Sequence, residues 1–297
     1  MQFVKMTGIG NDYVYVDGFS QDVGDPARTA VLVSDRNFGI GSDGLILVLP
    51  ADDGVDAHAQ MRMFNADGSE SEMCGNGIRC VCKLVHDHSL GPDPEANPLR
   101  IQTLAGLLTL SYEVDALDKV KTVTVDMGKP ILDPAEVPIL AEDLVQADQL
   151  QSFKVSVPGT TERFDATFVS MGNPHAVIFV DEVNEGVADV LKDWGRALEH
   201  HPAFPNRMNV HFVEVIEEDE VRVLHWERGS GPTLACGTGA CAVCVAGVLT
   251  QRTRPTLTAH LPGGDLSLTW DRPDADDPGS VMMTGPATEV FTGEWPD

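Results

Sequence analysis

Two cysteines stand in the same local setting, each directly before a Gly-x-Gly: Cys74-Gly75-Asn76-Gly77 and Cys236-Gly237-Thr238-Gly239. A helical run follows each, Gly77–Val85 and Gly239–Ala246. A thiol at a helix N-terminus feels roughly half a positive elementary charge, which favours the thiolate below its free value of about 8.5. The glycines leave backbone N–H groups uncovered, a setting that suits a carboxylate. One thiolate removing an α-proton while an opposing thiol delivers a proton to the other face would invert a stereocentre. Two thiols held close titrate as a pair, so one base and one acid are available together. Each positioned proton transfer is worth on the order of 10² to 10⁴ in rate. The carbanion also needs its carboxylate gripped by preorganised donors, and the Gly75-Asn76 and Gly237-Thr238 amides are placed to supply them.

Cys74 and Cys236 are 162 positions apart, and so are Asn11 in Gly10-Asn11-Asp12-Tyr13-Val14 and Asn173 in Gly172-Asn173-Pro174-His175-Ala176. At the same offset, Phe64-Asn65-Ala66-Asp67-Gly68 falls on Trp226-Glu227-Arg228-Gly229-Ser230. The chain therefore reads as one α/β unit written twice, giving two domains that face each other across a cleft. Asn11, Asn65, Asn76, Asn173 and Asn209 read as a neutral hydrogen-bonding lining, Glu227-Arg228 as one negative and one positive anchor, and His175 as an orienting group. Cys80, Cys82, Cys241 and Cys244 lie inside helical runs and read as core. Cys241-x-x-Cys244 has no second pair at finger spacing, so no metal is expected. Oxidation joining Cys74 to Cys236 would remove acid and base together. Gly39-Ile40-Gly41-Ser42-Asp43-Gly44 matches the dinucleotide-loop spacing, but it precedes the strand-like run Leu45–Leu49 instead of following a strand.

The elements that must carry these residues are mostly short β-type runs. Strands are expected at Asp12–Asp17, Leu45–Leu49, His58–Phe64, Val120–Val125, Phe164–Val169, Ala176–Val180, Val210–Val215 and Val221–Trp226. Hairpins are expected at Leu99–Thr103 with Leu107–Val114 and around Pro262-Gly263-Gly264. Helices are expected at Pro26–Asn37, Gly77–His88, Val187–Glu199 and Gly239–Gln251. Gly91–Pro98, Pro130–Glu142 and Pro273–Pro278 read as acidic surface loops.

At roughly 150 residues per domain, 297 residues suggest about two domains. Hydrophobic residues at 42% and charged residues at 22% describe an ordinary globular chain. With 20 Lys+Arg against 46 Asp+Glu, the net charge of −26 argues against nucleic acid and against anionic membranes as partners. No apolar stretch reaches the roughly 18 residues of a spanning helix, and the run Met1–Met6 into Thr7-Gly8 does not read as a signal peptide. Six cysteines in such a chain read as reduced thiols of the cytoplasm.

At its motifs the chain resembles the diaminopimelate epimerase family. Asn65 through Cys80 is similar to the family's first cysteine signature, and Glu227 through Gly239 to its second. Lys5-Met6 through Asn11-Asp12, Gly172–His175, Asn206–Val210 and Thr284–Ala287 extend the similarity over nearly the whole chain. The resemblance implies an epimerase converting LL-2,6-diaminopimelate to the meso form without pyridoxal phosphate or metal, for lysine and peptidoglycan synthesis. It implies an α/β fold of the α+β type with two similar domains, each with β-strands wrapped around a central helix, and a homodimer. Domains are expected at 1–119 and 120–277, with 278–297 returning to the first; the last strand is expected at Val281–Phe291, and Phe291 matches an aromatic position of dimer contacts. Cys74 and Cys236 match the acid/base pair, donor and acceptor in that order, and His175 and Glu227 match positions that assist the thiols. Asn11, Asn65, Asn173, Asn209, Glu227 and Arg228 match substrate contacts, with Gly75, Asn76, Gly237 and Thr238 cradling the reacting carboxylate. Gly44 stands where some members carry Gln, and Thr7 where His is frequent. Proline and hydroxyproline racemases of the two-thiol type place His after the first Cys-Gly and Asp-Arg before the second turn; Asn76 and Glu227-Arg228 argue against them. A thiol-based redox or scaffold protein of the same fold would leave both glycine cradles unexplained.

Overall fold

The computed structural model describes residues 1–147, 152–270 and 277–296. The chain divides into two compact units, Met1–Asp126 with Thr284–Asp297, and Met127–Met283. The first unit contains β1 (Gln2–Gly8), β2 (Asn11–Asp17), α1 (Pro26–Ser34), β3 (Gly44–Leu49), β4 (Ala59–Asn65), β5 (Glu70–Ser71), α2 (Gly75–Asp87), β6 (Leu99–Thr103), β7 (Gly106–Val114) and β8 (Val120–Asp126). The second contains β9 (Val145–Gln146), β10 (Ser152–Ser156), β11 (Arg163–Ser170), β12 (Pro174–Val180), α3 (Glu185–Glu199), β13 (Asn209–Glu217), β14 (Glu220–Glu227), β15 (Gly231–Thr233), α4 (Gly237–Leu249), β16 (Thr256–Leu261) and β17 (Gly264–Trp270). The chain closes with β18 (Val281–Pro286) and β19 (Thr288–Glu294).

The duplication holds at the level of strand pairing. In the first unit β2 runs parallel to β3, β3 antiparallel to β4, β4 antiparallel to β5 but parallel to β6, and β6 antiparallel to β7. The second unit repeats this order with β12, β13, β14, β15, β16 and β17. Helices α2 and α4 start 162 residues apart and also end 162 residues apart.

Alternation along the strands gives each sheet two apolar faces. Val14, Val16, Leu45, Leu47 and Phe64 pack with Ala30 and Val33 of α1. In the second unit Ala176, Ile178, Val210, Phe212 and Trp226 pack with Leu191 and Leu198 of α3. The opposite faces receive α2 and α4, which are enclosed by strands of their own units. Helix α4 is apolar all round, a pattern that suits burial on every side. Helix α2 buries two cations against polar partners: Arg79 donates to the Gly75 and Pro286 carbonyls, and Lys83 donates to Asp87 at 2.7 Å and to the Val120 carbonyl at 2.6 Å.

Several boundaries differ from the sequence expectation. Both central helices begin two residues early, at Gly75 and Gly237, because the cysteines themselves are the caps. Helix α1 stops at Ser34 instead of Asn37, since the Asp35 carboxylate accepts from the Asn37 and Phe38 N–H groups and turns the chain. Strand β1 is absent from the expected list. The expected strand Val281–Phe291 is interrupted at Ala287, and β19 pairs antiparallel with β1. Strand β8 pairs with β7, so the first unit runs through Asp126. Of the Pro273–Pro278 stretch, residues 273–276 lie outside the described residues.

The start of β3 has no room for a side chain. A Cβ placed on Gly44 would lie 2.1 Å from the Phe64 carbonyl oxygen of the paired strand. Gly44→Ala should therefore spread β3 from β4 and cost about 1–3 kcal/mol, read as a lowered urea midpoint at unchanged m-value. An unchanged midpoint would show that the strand pair yields freely.

Candidate active site

Each central helix is capped by a reactive side chain. Cys74 accepts the Gly77 N–H on Sγ at 3.3 Å, and Cys236 accepts the Gly239 N–H at 3.4 Å, both from extended backbone. The first carbonyl-to-N–H bonds of the helices run to Ile78 and Ala240. The N–H groups of Gly75, Asn76, Gly237 and Thr238 precede them and have no acceptor within the helix, which makes each terminus suited to a carboxylate.

In the first unit the half-buried Cys74 donates its S–H proton to Asn11 Oδ1 at 3.1 Å. The Asn11 amide cannot turn round, because its Nδ2 donates to Asp43 Oδ2 at 2.7 Å. The same carboxylate oxygen accepts the Asp12 N–H at 3.0 Å, and Arg36 clamps Asp43 and Asp12 together at 2.9 and 2.8 Å. The buried Lys5 ammonium completes the group with Asp12 and the Gly41 carbonyl. Asn65 sits at the end of β4 and donates to Ser69 Oγ at 3.0 Å, within a turn. Asn76 is buried in the first turn of α2.

In the second unit Cys236 is fully enclosed, and burial pushes its thiol well above the usual range. The neighbouring Glu227 charge adds to that rise, while bonds from Thr238 and Gly239 oppose it. The expected helix-end activation is thus overturned at this thiol: the cap bond is present, but burial and Glu227 outweigh it. Glu227 is held by the Thr233 hydroxyl at 2.5 Å. Asn209 also bonds the backbone, donating to the Pro174 carbonyl at 2.7 Å and accepting the Arg228 N–H at 2.9 Å. It therefore fixes the turn before β12 and the start of Arg228, whose guanidinium donates to the Asn206 carbonyl at 2.9 Å. His175 bonds Asn173 Oδ1 at 2.9 Å and His211 at 2.9 Å. Phe291, half-exposed on β19, stacks edge-on against Phe3 at 5.9 Å.

The family model described as diaminopimelate epimerase matches residues 3–132 and 167–290. The chain is 46% identical over 295 residues to the diaminopimelate epimerase of Agathobacter rectalis, covering 99% of both. It is 47% identical over 294 residues to that of Acetivibrio thermocellus, covering 99% of this chain and 98% of the other. The chain belongs to the diaminopimelate epimerase family. It is an isomerase, with the fold of that family. Among solved structures it is similar to a probable proline racemase from Agrobacterium radiobacter crystallised with carbonate, at TM-score 0.68 over 99% of this chain and 92% of that one; at 14% identity the likeness is one of fold.

Three residues of this epimerase escaped the sequence reading. Asp43 lies inside the Gly-rich segment set aside as a false dinucleotide loop, yet it fixes Asn11. His211 and His225 stand directly opposite each other on β13 and β14. The hairpin register set by Val210–Val215 and Val221–Trp226 was the signal that could have paired them.

The three histidines must stay neutral in the fold. Burial, with His225 and Arg228 adding to it, pushes His175 down to about 3; burial alone takes His225 to about 3; burial, with its two histidine neighbours adding to it, holds His211 well below the usual imidazole range. Unfolded imidazoles take protons near 6.5, so the folded state loses stability as pH falls from there toward 3. Each fully titrating ring contributes a slope of about 1.4 kcal/mol per pH unit. Urea unfolding at pH 7, 6 and 5 should show this loss, and the pH dependence of His225→Met should be shallower by up to about 1.4 kcal/mol per pH unit between pH 6 and 5. An identical slope in the variant would mean that His225 titrates normally.

Proposed function

We propose that this epimerase interconverts LL-2,6-diaminopimelate and meso-2,6-diaminopimelate by two-base proton transfer at the α-carbon, with Cys74 and Cys236 as the pair. The observation that carries this reading is the equivalence of the thiols: each is the N-cap of the central helix of its unit and accepts from the third residue of that helix. A mechanism that removes a proton from one face and returns one to the other needs two such groups. Both proton transfers then come from side chains of the chain itself, and the reading includes neither pyridoxal phosphate nor metal.

In the direction that forms the meso product, Cys236 takes the α-proton and Cys74 delivers the new one. Cys236 first has to lose its own proton, against the burial and the adjacent Glu227 charge that raise its thiol, and Glu227 is the carboxylate beside it to receive that proton. Thr233 holds that carboxylate in place through one oxygen. Cys74 stands as the acid, its S–H aligned by Asn11. The helix-end amides of Gly75, Asn76, Gly237 and Thr238 take the reacting carboxylate, whose charge grows as the carbanion forms. Asn65, Asn173 and Arg228 bind the remaining polar groups of the substrate, and Asn209 holds the segments that present them. In the reverse direction the thiols exchange roles.

The wider setting of this reading is the cytoplasm, lysine and peptidoglycan precursor synthesis, and a homodimer through β19, where Val290 and Phe291 are exposed. The test is α-proton exchange in D₂O with LL-diaminopimelate, proline and glutamate run side by side. Deuterium should enter diaminopimelate alone, and Cys74→Ala or Cys236→Ala should lower epimerisation by on the order of 10² to 10⁴. Exchange of proline without diaminopimelate would overturn the substrate, and normal turnover in either variant would overturn the two-base mechanism.

A further inference from the structure

The second unit contains a hydrogen-bonded chain of three buried histidines, of which the sequence motifs single out only His175. His175 Nε2 bonds Asn173 Oδ1 at 2.9 Å, His175 Nδ1 bonds His211 Nε2 at 2.9 Å, and His211 Nδ1 bonds His225 Nδ1 at 2.7 Å. An amide oxygen only accepts, so His175 Nε2 carries its hydrogen. In a neutral ring Nδ1 then accepts, and the donor is His211 Nε2–H. His211 Nδ1 accepts in turn from His225 Nδ1–H. The chain ends on His225 Nε2, a buried acceptor with no partner among the described residues. Every bond points toward Asn173. Its amide oxygen is consumed, and its NH₂ group has no partner among the described residues.

The duplicated fold does not require this arrangement. At the matching positions of the first unit stand Tyr13, Ile46 and Met63, buried and packed. The pairing is equivalent: Tyr15 faces Ile46 and Ile46 faces Met63, as Val177 faces His211 and His211 faces His225. The close approach to the helix is equivalent too. A Cβ on Gly77 would lie 2.9 Å from Ile46 Cδ1, and one on Gly239 would lie 2.5 Å from His211 Cε1. One copy of the framework is therefore filled with a tyrosine and two apolar side chains where the other buries three imidazoles and leaves an acceptor unpaired. Packing alone gives no reason for that difference.

We propose that His211 and His225 are positioning residues of the epimerase, locking the Asn173 amide through His175 so that its NH₂ is presented as a donor to a carboxylate of the substrate. The proposal rests on the functional reading above and adds two residues to it. Without a donor on its Nδ1, His175 is free to adopt the other tautomer. Its Nε2 would then accept, the Asn173 amide would turn, and a carbonyl oxygen would face the substrate carboxylate. Because this contact is made equally in the bound substrate and in the transition state, its loss should appear mainly in KM.

The test uses substitutions that the first unit already accommodates. His211→Ile and His225→Met copy Ile46 and Met63. His211→Ile should raise KM for LL-diaminopimelate about tenfold or more, as expected for a lost bond to a charged group, with a much smaller change in kcat. His225→Met should act in the same direction but less, because His211 keeps its bond to His175. His211→Gln, whose amide both donates and accepts, should bring KM back to within about twofold of the unsubstituted enzyme. A purely structural role would move the unfolding midpoint without this split or rescue. Long-range ¹H–¹⁵N spectra of the unsubstituted protein should show His175 and His211 protonated on Nε2 and His225 on Nδ1. Unchanged KM in His211→Ile, or His175 protonated on Nδ1, would overturn the proposal. Failure of the unsubstituted protein to exchange LL-diaminopimelate would overturn the functional reading instead, and the spectra would still decide the direction of the chain.

Discussion

The first N–H groups of a helix have no acceptor within it and must be satisfied by a cap, by water or by a ligand. In both units the partner of the third N–H is a cysteine sulfur, and this one constraint ties the chemistry to the fold. Serine or aspartate would cap more strongly. Sulfur is a weaker acceptor, but it can gain and lose a proton while it stays in place. The strands around α2 and α4 can be read as the scaffold that this bond needs: they fix the helix axis, and the axis fixes the sulfur. The glycines after each cysteine follow from the same closeness, because the sheet below leaves no volume for a Cβ at Gly77 or Gly239.

The duplication supplies equivalent positions but not equivalent environments. Asn11 and Asn173 are counterparts, yet their amides are held with opposite polarity. Asp43 accepts from the Asn11 NH₂ and leaves its oxygen to the Cys74 thiol; His175 donates to the Asn173 oxygen and leaves its NH₂ outward. The cysteines diverge likewise: Cys74 is half-buried beside a neutral amide, and Cys236 is buried beside a carboxylate. A racemising site for a symmetric task could be built from two identical halves. Here the two copies offer groups of different polarity at equivalent positions.

The 162-residue offset was legible because both copies kept the cap and the turn, whose chemistry admits few residue types. The central helices were legible for the same reason, apart from their first two residues. Strand β1 was missed because Lys5 interrupts its pattern; Lys5 is buried all the same, since Asp12 and the Gly41 carbonyl satisfy its ammonium. Asp43 was hidden by its glycines, which drew attention to a spacing instead of to the carboxylate within it. The histidine chain depends on strand register, a quantity that no single segment carries, and each histidine read alone is an ordinary polar residue.

The net charge of −26 bears on the thiols much less than their neighbours do. Exposed charges more than about 8 Å away are largely screened at physiological salt. The ion pairs that this chain forms among its few cations, such as Arg62 with Glu70 and Lys154 with Asp165, sit at the surface, where each pair is worth little. Burial and one carboxylate decide the state of Cys236. Around it lie neutral imidazoles, amides and backbone N–H groups, so a proton moving between Cys236 and Glu227 would change the local charge by redistribution alone. A chain with far more acidic than basic groups can in this way leave Cys236 facing a single carboxylate, provided that the imidazoles beside it are uncharged. The three buried histidines, held neutral down to acidic pH, satisfy that condition.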